Sequence, residues 1–272
     1  MQEPTVFQAL VLGILQGLTE FLPVSSSAHL AITPWVMGWP PAGLAFDLAL
    51  HVGTLLTLAW YFRAEWRTLV LGGLTLLRHR EPVDEASRRA AFIIVASIPA
   101  GLAGVLLDDY AESVFRAPAI TATALIVMGV VLWAVDRGVA ARRDRAAMTW
   151  RDALAIGCAQ VLALVPGVSR SGSTITAGRA LGFDRSAAAV FSFLMSMPII
   201  AAAVVLKVPS AVRETGITLP LVVGVLSAAL SSWVAIAFLL RYVSQRGYAL
   251  FAVYRVALGI VILALLGTRG AW

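Results

Sequence analysis

The chain has 272 residues, of which 60% are hydrophobic and 13% are charged. Average soluble domains carry about 25% charged residues, so this composition argues against a soluble globular enzyme and against a disordered chain. The formal net charge of +6 does not indicate a nucleic-acid-binding protein, because the basic residues lie in short loops between apolar runs. Cys158 is the only cysteine, which excludes an intrachain disulfide and a cysteine metal cluster. We therefore expect an all-α polytopic membrane protein.

Two apolar stretches are interrupted near their middle by proline, glycine and serine. The first covers about 5–38 and contains FLPVSSS at 21–27, and the second covers about 152–182 and contains VPGVSRSG at 165–172. A broken helix at membrane depth survives only where protein or a water-filled cavity surrounds it. We therefore predict that each stretch forms a re-entrant helical hairpin.

Six uninterrupted apolar runs are long enough to cross a bilayer when tilt is allowed. They cover about 46–62, 90–107, 117–135, 186–206, 217–240 and 249–267. The segment from Trp66 to Leu77 is also apolar but short and is surrounded by arginines, which predicts an interfacial helix. The sequence thus predicts one integral membrane domain over 1–272, with six transmembrane helices and two re-entrant hairpins.

The arginine distribution predicts the orientation of these segments. Segments 63–89 and 136–151 hold six and five arginines, and the positive-inside rule places them in the cytoplasm. Segments 108–116, 207–216 and 268–272 hold few basic residues and are expected outside. Six spans are compatible with these loop locations only if the first hairpin enters the membrane from outside and the second from the cytoplasm. Both termini then lie outside.

Opposite insertion of two similar hairpins predicts an inverted-topology repeat. An offset of 144 aligns residues 16–27 with residues 160–171, and five of the twelve aligned positions are identical. The first repeat would cover about 1–136 and the second about 151–268. The alternative is chance similarity between two apolar, serine-containing stretches.

The first hairpin carries a carboxylate in an apolar setting. Glu20 is the only formally charged residue between Glu3 and Asp47, and ionisable residues inside a membrane usually mark a function. Gln16 lies one helical turn earlier on the same face. The two side chains could hold Mg²⁺ or Ca²⁺ or activate a water, and an interhelical hydrogen bond is the structural alternative.

Three consecutive hydroxyls and an imidazole follow Glu20. Ser25, Ser26 and Ser27 provide a nucleophile and hydrogen-bond donors, and His29 is a natural acid or base beside them. Helix capping by serine, with a histidine facing a water-filled lumen, is the structural alternative.

The second hairpin carries a pattern that favours anion binding. Gly167 and Gly172 allow an open backbone whose N–H groups can face an anion. Hydroxyls lie around Arg170, whose planar guanidinium suits a phosphate, and a helix is expected to begin there. The structural alternative is an ion pair of Arg170 with Glu20 alone. The sequence leaves open whether His51 faces the same lumen and whether Arg255 lines it or has a structural role.

Together these two motifs resemble those of the undecaprenyl-diphosphate phosphatase family, also known for bacitracin resistance. The first family motif is a Glu or Gln, three further residues and a Glu, followed by FLPVSS and a His. In this sequence the motif matches Gln16 to Glu20, then residues 21–26, then His29. The second, PGxSRSxxT, matches 166–174, and the resemblance extends over essentially the whole chain. Because Gln16 replaces the first acid of the motif, a metal clamp of two carboxylates is not expected.

The resemblance implies hydrolysis of undecaprenyl diphosphate to the monophosphate and phosphate, which recycles the lipid carrier for cell-wall synthesis. It also implies dependence on Mg²⁺ or Ca²⁺ and a site open to the outer face of the inner membrane. The expected partners are the lipid and the bilayer, with no nucleic acid, and assembly of several copies is left open. A transporter of lipid phosphates with the same architecture is the alternative function.

The site roles follow from this implied reaction. Ser26 is the expected nucleophile, Glu20 activates it or binds metal beside Gln16, and His29 acts as acid or base. The rival mechanisms use His29 or a metal-bound water as nucleophile. The residues expected to bind the diphosphate are Ser25, Ser27, Ser169, Arg170, Ser171 and Thr174.

Overall fold

The computed structural model describes residues 3–107 and 117–269. Within these ranges the chain forms eleven α-helices and two short 3-10 turns, at Arg145–Ala147 and Leu162–Leu164. The loop at 108–116 and both chain ends, for which the sequence predicts an outer location, are not among the described residues. The helices are α1 (Val6–Phe21), α2 (Ser26–Met37), α3 (Leu44–Tyr61), α4 (Arg63–His79), α5 (Glu85–Leu106), α6 (Pro118–Gly138), α7 (Trp150–Val161), α8 (Arg170–Ala180), α9 (Arg185–Thr215), α10 (Leu219–Val243) and α11 (Ala249–Arg269).

The long apolar helices confirm a polytopic membrane protein. In the described ranges, α5, α6, α9, α10 and α11 are each long and apolar enough to cross a bilayer, and α3 reaches this only together with α4. The two helices of that pair are bent by 85°, which fits the prediction that α4 lies along the interface. The outer faces are apolar: Leu226, Leu230 and Val234 of α10 are 58%, 73% and 60% exposed. Such a stripe is suited to contact with lipid.

The two interrupted stretches form the pairs α1–α2 and α7–α8, each with a short break between its helices. Both α1 and α7 begin with a capping box, at Thr5 and Thr149 respectively, in which two side-chain oxygens accept hydrogen bonds from two otherwise free backbone N–H groups. Both breaks end at a serine with positive φ, 74° at Ser25 and 70° at Ser169. Each pair of equivalent residues is separated by the offset of 144. These paired features support the proposed repeat.

Close helix packing holds the first helix of each hairpin against a long helix of the other half. A Cβ added at Gly17 of α1 would lie 2.3 Å from the carbonyl oxygen of Ala228 in α10. One added at Gly157 of α7 would lie 2.4 Å from the carbonyl oxygen of Ala96 in α5. Small residues at such crossings let backbones approach in the membrane, so the hairpins are fixed relative to the spans.

A buried ion-pair network anchors the far end of α8. Asp136 at the end of α6 accepts hydrogen bonds from Arg179 Nε at 2.9 Å and Arg185 Nε at 2.8 Å, and from the backbone N–H of Tyr248 at 2.9 Å. Arg179 is 1% exposed and also donates to main-chain carbonyls, including that of Val139. Because α8 is only 11 residues long, this anchor also fixes its other end, where the second break lies.

Candidate active site

Arg255 of α11 joins the two helix breaks. Its fully buried guanidinium donates to the carbonyl oxygen of Pro23 in the first break at 3.2 Å. It also donates to the carbonyls of Gly167 and Val168 in the second break, at 2.9 and 2.8 Å, and to that of Leu125 at 3.5 Å. These contacts support the structural role for Arg255 that the sequence left open. The breaks therefore meet, and α2 and α8 begin beside each other.

Glu20 is the centre of the polar contacts between the two hairpins. Its Oε2 accepts hydrogen bonds from Ser26 Oγ at 2.6 Å and from Gln16 Nε2 at 3.1 Å. Its Oε1 accepts one from Arg170 Nη2 at 3.0 Å. A carboxylate that accepts a hydrogen bond from a serine hydroxyl is placed as expected for a base beside its nucleophile.

Arg170 occupies the first position of α8 and crosses to the first hairpin. Besides Glu20 it contacts the carbonyl oxygen of Ser192 in α9 through Nη1, at 3.3 Å. Its buried Nε has no partner among the residues that the structure describes, so one N–H of the guanidinium is free for a ligand. The positive ends of α2 and α8 also lie here, and helix N-termini favour anions.

The other hydroxyl residues fall into two groups. Ser25, Ser26, Ser27 and Ser169 line a shared cavity. Ser171 and Thr174 are buried behind it, where Ser171 Oγ donates to the carbonyl of Leu22 at 3.1 Å. Thr174 Oγ1 donates to the carbonyl of Arg170 at 2.8 Å and pairs with Ser192 Oγ at 2.6 Å. Their contacts position the breaks and Arg170, and neither residue is among the described residues that line the cavity.

The two histidines of this region have different surroundings. His29 is buried, its Nδ1 lies 2.7 Å from the carbonyl of Ser25 and its Nε2 lies 2.6 Å from the hydroxyl of Tyr254. Since a carbonyl only accepts, Nδ1 donates to it, and in the neutral imidazole Nε2 then accepts from the Tyr254 hydroxyl. The structure does not place His29 among the described residues that line the cavity. His51 does line the cavity, with Nε2 3.6 Å from Glu20 Oε2 and Nδ1 bonded to the carbonyl of Asp47.

The cavity has a polar end and an apolar end and a volume of about 630 Å³. The polar end contains Glu20, the serines, His51 and Arg170, and the amide of Gln160 also lines the cavity. The apolar end lies between α5 and α9 and is lined by small and aliphatic side chains. They are Ala100, Gly101, Gly104, Val105, Ile199, Ile200, Ala202, Ala203, Val204 and Leu206, with Lys207 beyond them. This division suits a ligand with an anionic head and a hydrocarbon tail.

Comparison with known proteins identifies the family. The bacitracin resistance protein BacA family matches residues 9–261. The chain belongs to this family. A relative from Gemmatimonas aurantiaca named undecaprenyl-diphosphatase is 60% identical over 97% of this chain and 99% of its own length. Relatives of that name from Thermomicrobium roseum and Pelotomaculum thermopropionicum are 48% and 45% identical, over 95% and 97% of this chain and 97% and 98% of their lengths.

Membership of the BacA family confirms the resemblance that the two motifs carried. Two polar residues of the cavity lining, Gln160 and Lys207, were nevertheless absent from the residues singled out by sequence, as was Ser192, which contacts Arg170 and Thr174 behind the cavity. Gln160 had a usable signal, because it aligns with Gln16 at the offset of 144. Ser192 had none in its spacing, since its carbonyl and hydroxyl reach Arg170 and Thr174 only through the packing of α9 on α8.

The oxygen atoms available for a cation in this BacA-family site are few. No group of three or more His, Cys, Asp or Glu side chains that could hold a metal occurs among the described residues. Gln16 Oε1 is buried without a partner in the described part of the chain. The Nε2 of the same amide donates a hydrogen bond to Glu20. One carboxylate and one free amide oxygen fit a hard cation that takes its remaining ligands from water or phosphate.

Replacing Arg255 by lysine should destabilise the fold. One ammonium group cannot reproduce the planar set of donors that reaches carbonyls of both breaks, and each unsatisfied buried carbonyl costs about 1–3 kcal/mol. We expect Arg255→Lys to lower the thermal unfolding temperature of the purified protein in detergent, whereas Arg151→Lys, at an exposed position, leaves it unchanged. An Arg255→Lys variant as stable as the wild type would contradict the role of Arg255.

Proposed function

We propose that this chain hydrolyses undecaprenyl diphosphate to undecaprenyl phosphate and inorganic phosphate. The proposal rests on the hydrogen bonds of Glu20. Its carboxylate accepts one from the Ser26 hydroxyl at 2.6 Å and one from Arg170 at 3.0 Å, in one cavity. A nucleophile, its base and an anion-binding guanidinium are thereby brought together. The BacA family and the names of the relatives agree with this chemistry.

The terminal phosphate binds where the two breaks meet. Arg170 donates to it from the guanidinium, including the Nε that is otherwise without a partner among the described residues. Ser25, Ser27 and Ser169 donate from the cavity wall, and the N-termini of α2 and α8 add favourable dipoles. Most phosphoryl-transfer catalysis is positioning and charge stabilisation of this kind. Ser171 and Thr174 act indirectly, by holding the breaks and the backbone of Arg170.

Ser26 is the nucleophile. Its Oγ attacks the terminal phosphorus while its proton passes to Glu20, and the bond from phosphorus to the bridging oxygen breaks. Undecaprenyl phosphate leaves with the electron pair of that bond. Water then attacks the phosphoserine and gives a proton to His51 while the bond from phosphorus to Ser26 Oγ breaks. Glu20 returns its proton to Ser26 Oγ, inorganic phosphate leaves, and the Ser26 hydroxyl is regenerated.

His51 and His29 have separate roles in this scheme. His51 Nε2 lies 3.6 Å from Glu20 Oε2 and faces the cavity, so it can relay the proton between Glu20 and water. His29 positions the serine turn through its bond to the Ser25 carbonyl. Acid–base or nucleophilic chemistry by His29 would require it to leave both of its partners.

Mg²⁺ or Ca²⁺ is the proposed cofactor. Glu20 and the free Oε1 of Gln16 would hold it together with phosphate oxygens of the substrate. The ion would neutralise part of the diphosphate charge, which otherwise rests on Arg170 and the helix N-termini.

The isoprenoid chain lies at the apolar end of the cavity, between α5 and α9. This end is lined by Val105 and Lys207, which lead into segments 108–116 and 207–216, where arginines are few. That charge distribution supports a site open to the outer, periplasmic face of the inner membrane, with both termini on the same side.

The first test is phosphate release from undecaprenyl diphosphate by purified protein in detergent, with Mg²⁺ or Ca²⁺ and then with a chelator. We expect metal-dependent release, and a loss of about 100-fold or more in kcat for Ser26→Ala and Glu20→Gln, because each removes one partner of the nucleophile–base pair. Glu81→Gln, on an exposed loop, serves as the control and should keep the wild-type rate.

Absence of release from a folded wild-type protein with either metal would contradict the proposal. The lipid-phosphate transporter would then become the leading function, because it uses the same anion site without a nucleophile. Full activity of Ser26→Ala would contradict only the assignment of the nucleophile.

A second prediction concerns the tail. An added Cβ at Gly104 meets nothing within 4 Å, so a tryptophan there would occupy the apolar end of the cavity. We expect Gly104→Trp to reduce kcat/KM for undecaprenyl diphosphate by about tenfold or more and to affect a short-chain isoprenyl diphosphate much less. Gly73→Trp on α4, where the added Cβ is equally free, is the matched control. Equal loss with both substrates would place the tail elsewhere.

A further inference from the structure

Gln160 is a buried amide in the wall of the cavity with no bonding partner. It is 3% exposed and lines the cavity, yet neither Oε1 nor Nε2 makes a hydrogen bond within the described residues. A buried amide left unpaired lowers stability. Its presence at this position is therefore expected to serve a ligand.

Comparison with the first hairpin shows why this amide is free. Gln16, the residue at the same place in the first hairpin, donates to Glu20 one turn later at 3.1 Å. The residue that corresponds to Glu20 is Leu164, which offers no acceptor, and it lies in a 3-10 turn beyond the end of α7. Gln160 therefore has no carboxylate partner of its own and is available to the cavity.

Its place along the cavity indicates which part of a ligand it would meet. Gly157, one turn before Gln160, packs against Ala96 of α5. One turn further along α5, Ala100 and Gly101 begin the apolar end of the cavity. Gln160 thus lies at the boundary between this end and the polar end, where Ser26 and Arg170 lie.

We propose that Gln160 binds the phosphate that remains attached to the lipid. The inference rests on the proposed function: with the terminal phosphate at Ser26 and the tail beside α5, the lipid-linked phosphate must pass this boundary. The Nε2 of Gln160 donates to one of its oxygens. Because the amide is neutral, it recognises the phosphate without the strong attraction of a second guanidinium, which favours release of the lipid monophosphate.

The experiment compares Gln160→Leu and Gln160→Glu with wild type and with Cys158→Ser, an exposed control on the same helix. For each protein we would measure kcat and KM with undecaprenyl diphosphate, and the inhibition constants of undecaprenyl phosphate and of inorganic phosphate. Thermal unfolding of each variant separates binding from folding. Inorganic phosphate reports on the terminal phosphate position and undecaprenyl phosphate on the lipid-linked one.

We expect Gln160→Leu to raise KM and the inhibition constant of undecaprenyl phosphate about tenfold, because one hydrogen bond to a charged group is lost. The inhibition constant of inorganic phosphate should not change. The unfolding temperature should stay equal or rise, because an unpaired buried amide has been removed. Gln160→Glu should weaken binding of the lipid monophosphate further, since a carboxylate repels phosphate.

Unchanged binding of undecaprenyl phosphate to a folded Gln160→Leu variant would overturn the proposal, as would a drop in unfolding temperature without a change in affinity. If Gln160→Leu does not fold, unchanged affinity in Gln160→Glu would overturn it instead. A wild type that releases no phosphate overturns the proposed function alone. The role of Gln160 is then decided by direct binding of undecaprenyl phosphate to wild type and variants.

Discussion

Two helices broken at membrane depth depend on the guanidinium of Arg255. A break exposes backbone carbonyls that no water of the bilayer core can satisfy, and each one left unpaired would cost about 1–3 kcal/mol. Arg255 donates to carbonyls in both breaks at once, including that of Pro23 in the first and that of Val168 in the second. The approach is close: a Cβ added at Gly172 would lie 2.3 Å from Arg255 Nη1. The glycine of the second motif thus makes room for the side chain that joins the hairpins.

The arrangement proposed for catalysis follows from this contact between the two breaks. Once the breaks meet, the helices that leave them begin side by side, and their positive ends converge. Ser25 and Ser169 take the positive φ values that turn the chain into these helices, a strained conformation for a residue other than glycine. Glu20 of one hairpin then balances Arg170 of the other. The ion pair is one that a diphosphate can replace, because the incoming phosphate supplies the negative charge that Arg170 requires.

The hairpins and the long helices could be predicted from the sequence because their signals are local. Broken apolar stretches, long apolar runs and arginine-rich segments are local signals, and they predicted the hairpins and the long helices. The meeting of Glu20 and Arg170 was also accessible, because each is a charge in an apolar setting that needs a partner. Local patterns contain no information on which carbonyls Arg255 contacts, since these lie far away along the chain.

The histidines show the same limit. His29 belongs to the motif and His51 does not, yet His51 faces Glu20 and His29 is held between Ser25 and Tyr254. Which side of a helix faces a cavity depends on the packing of several helices, and spacing within one segment cannot decide it. Gln160 is intermediate: its alignment with Gln16 was visible, but its free amide required knowledge of the neighbouring turn.

The stereochemistry at phosphorus tests the central claim most directly, namely that Ser26 takes the phosphoryl group held by Arg170. The substrate would be undecaprenyl diphosphate whose terminal phosphate is made chiral with sulphur and oxygen isotopes, hydrolysed in isotopically labelled water. Two successive in-line displacements, through phosphoserine, predict retention of configuration, with turnover by Ser26→Ala lower by about 100-fold or more. Inversion would show direct attack by water and would contradict the assignment of Ser26 as nucleophile.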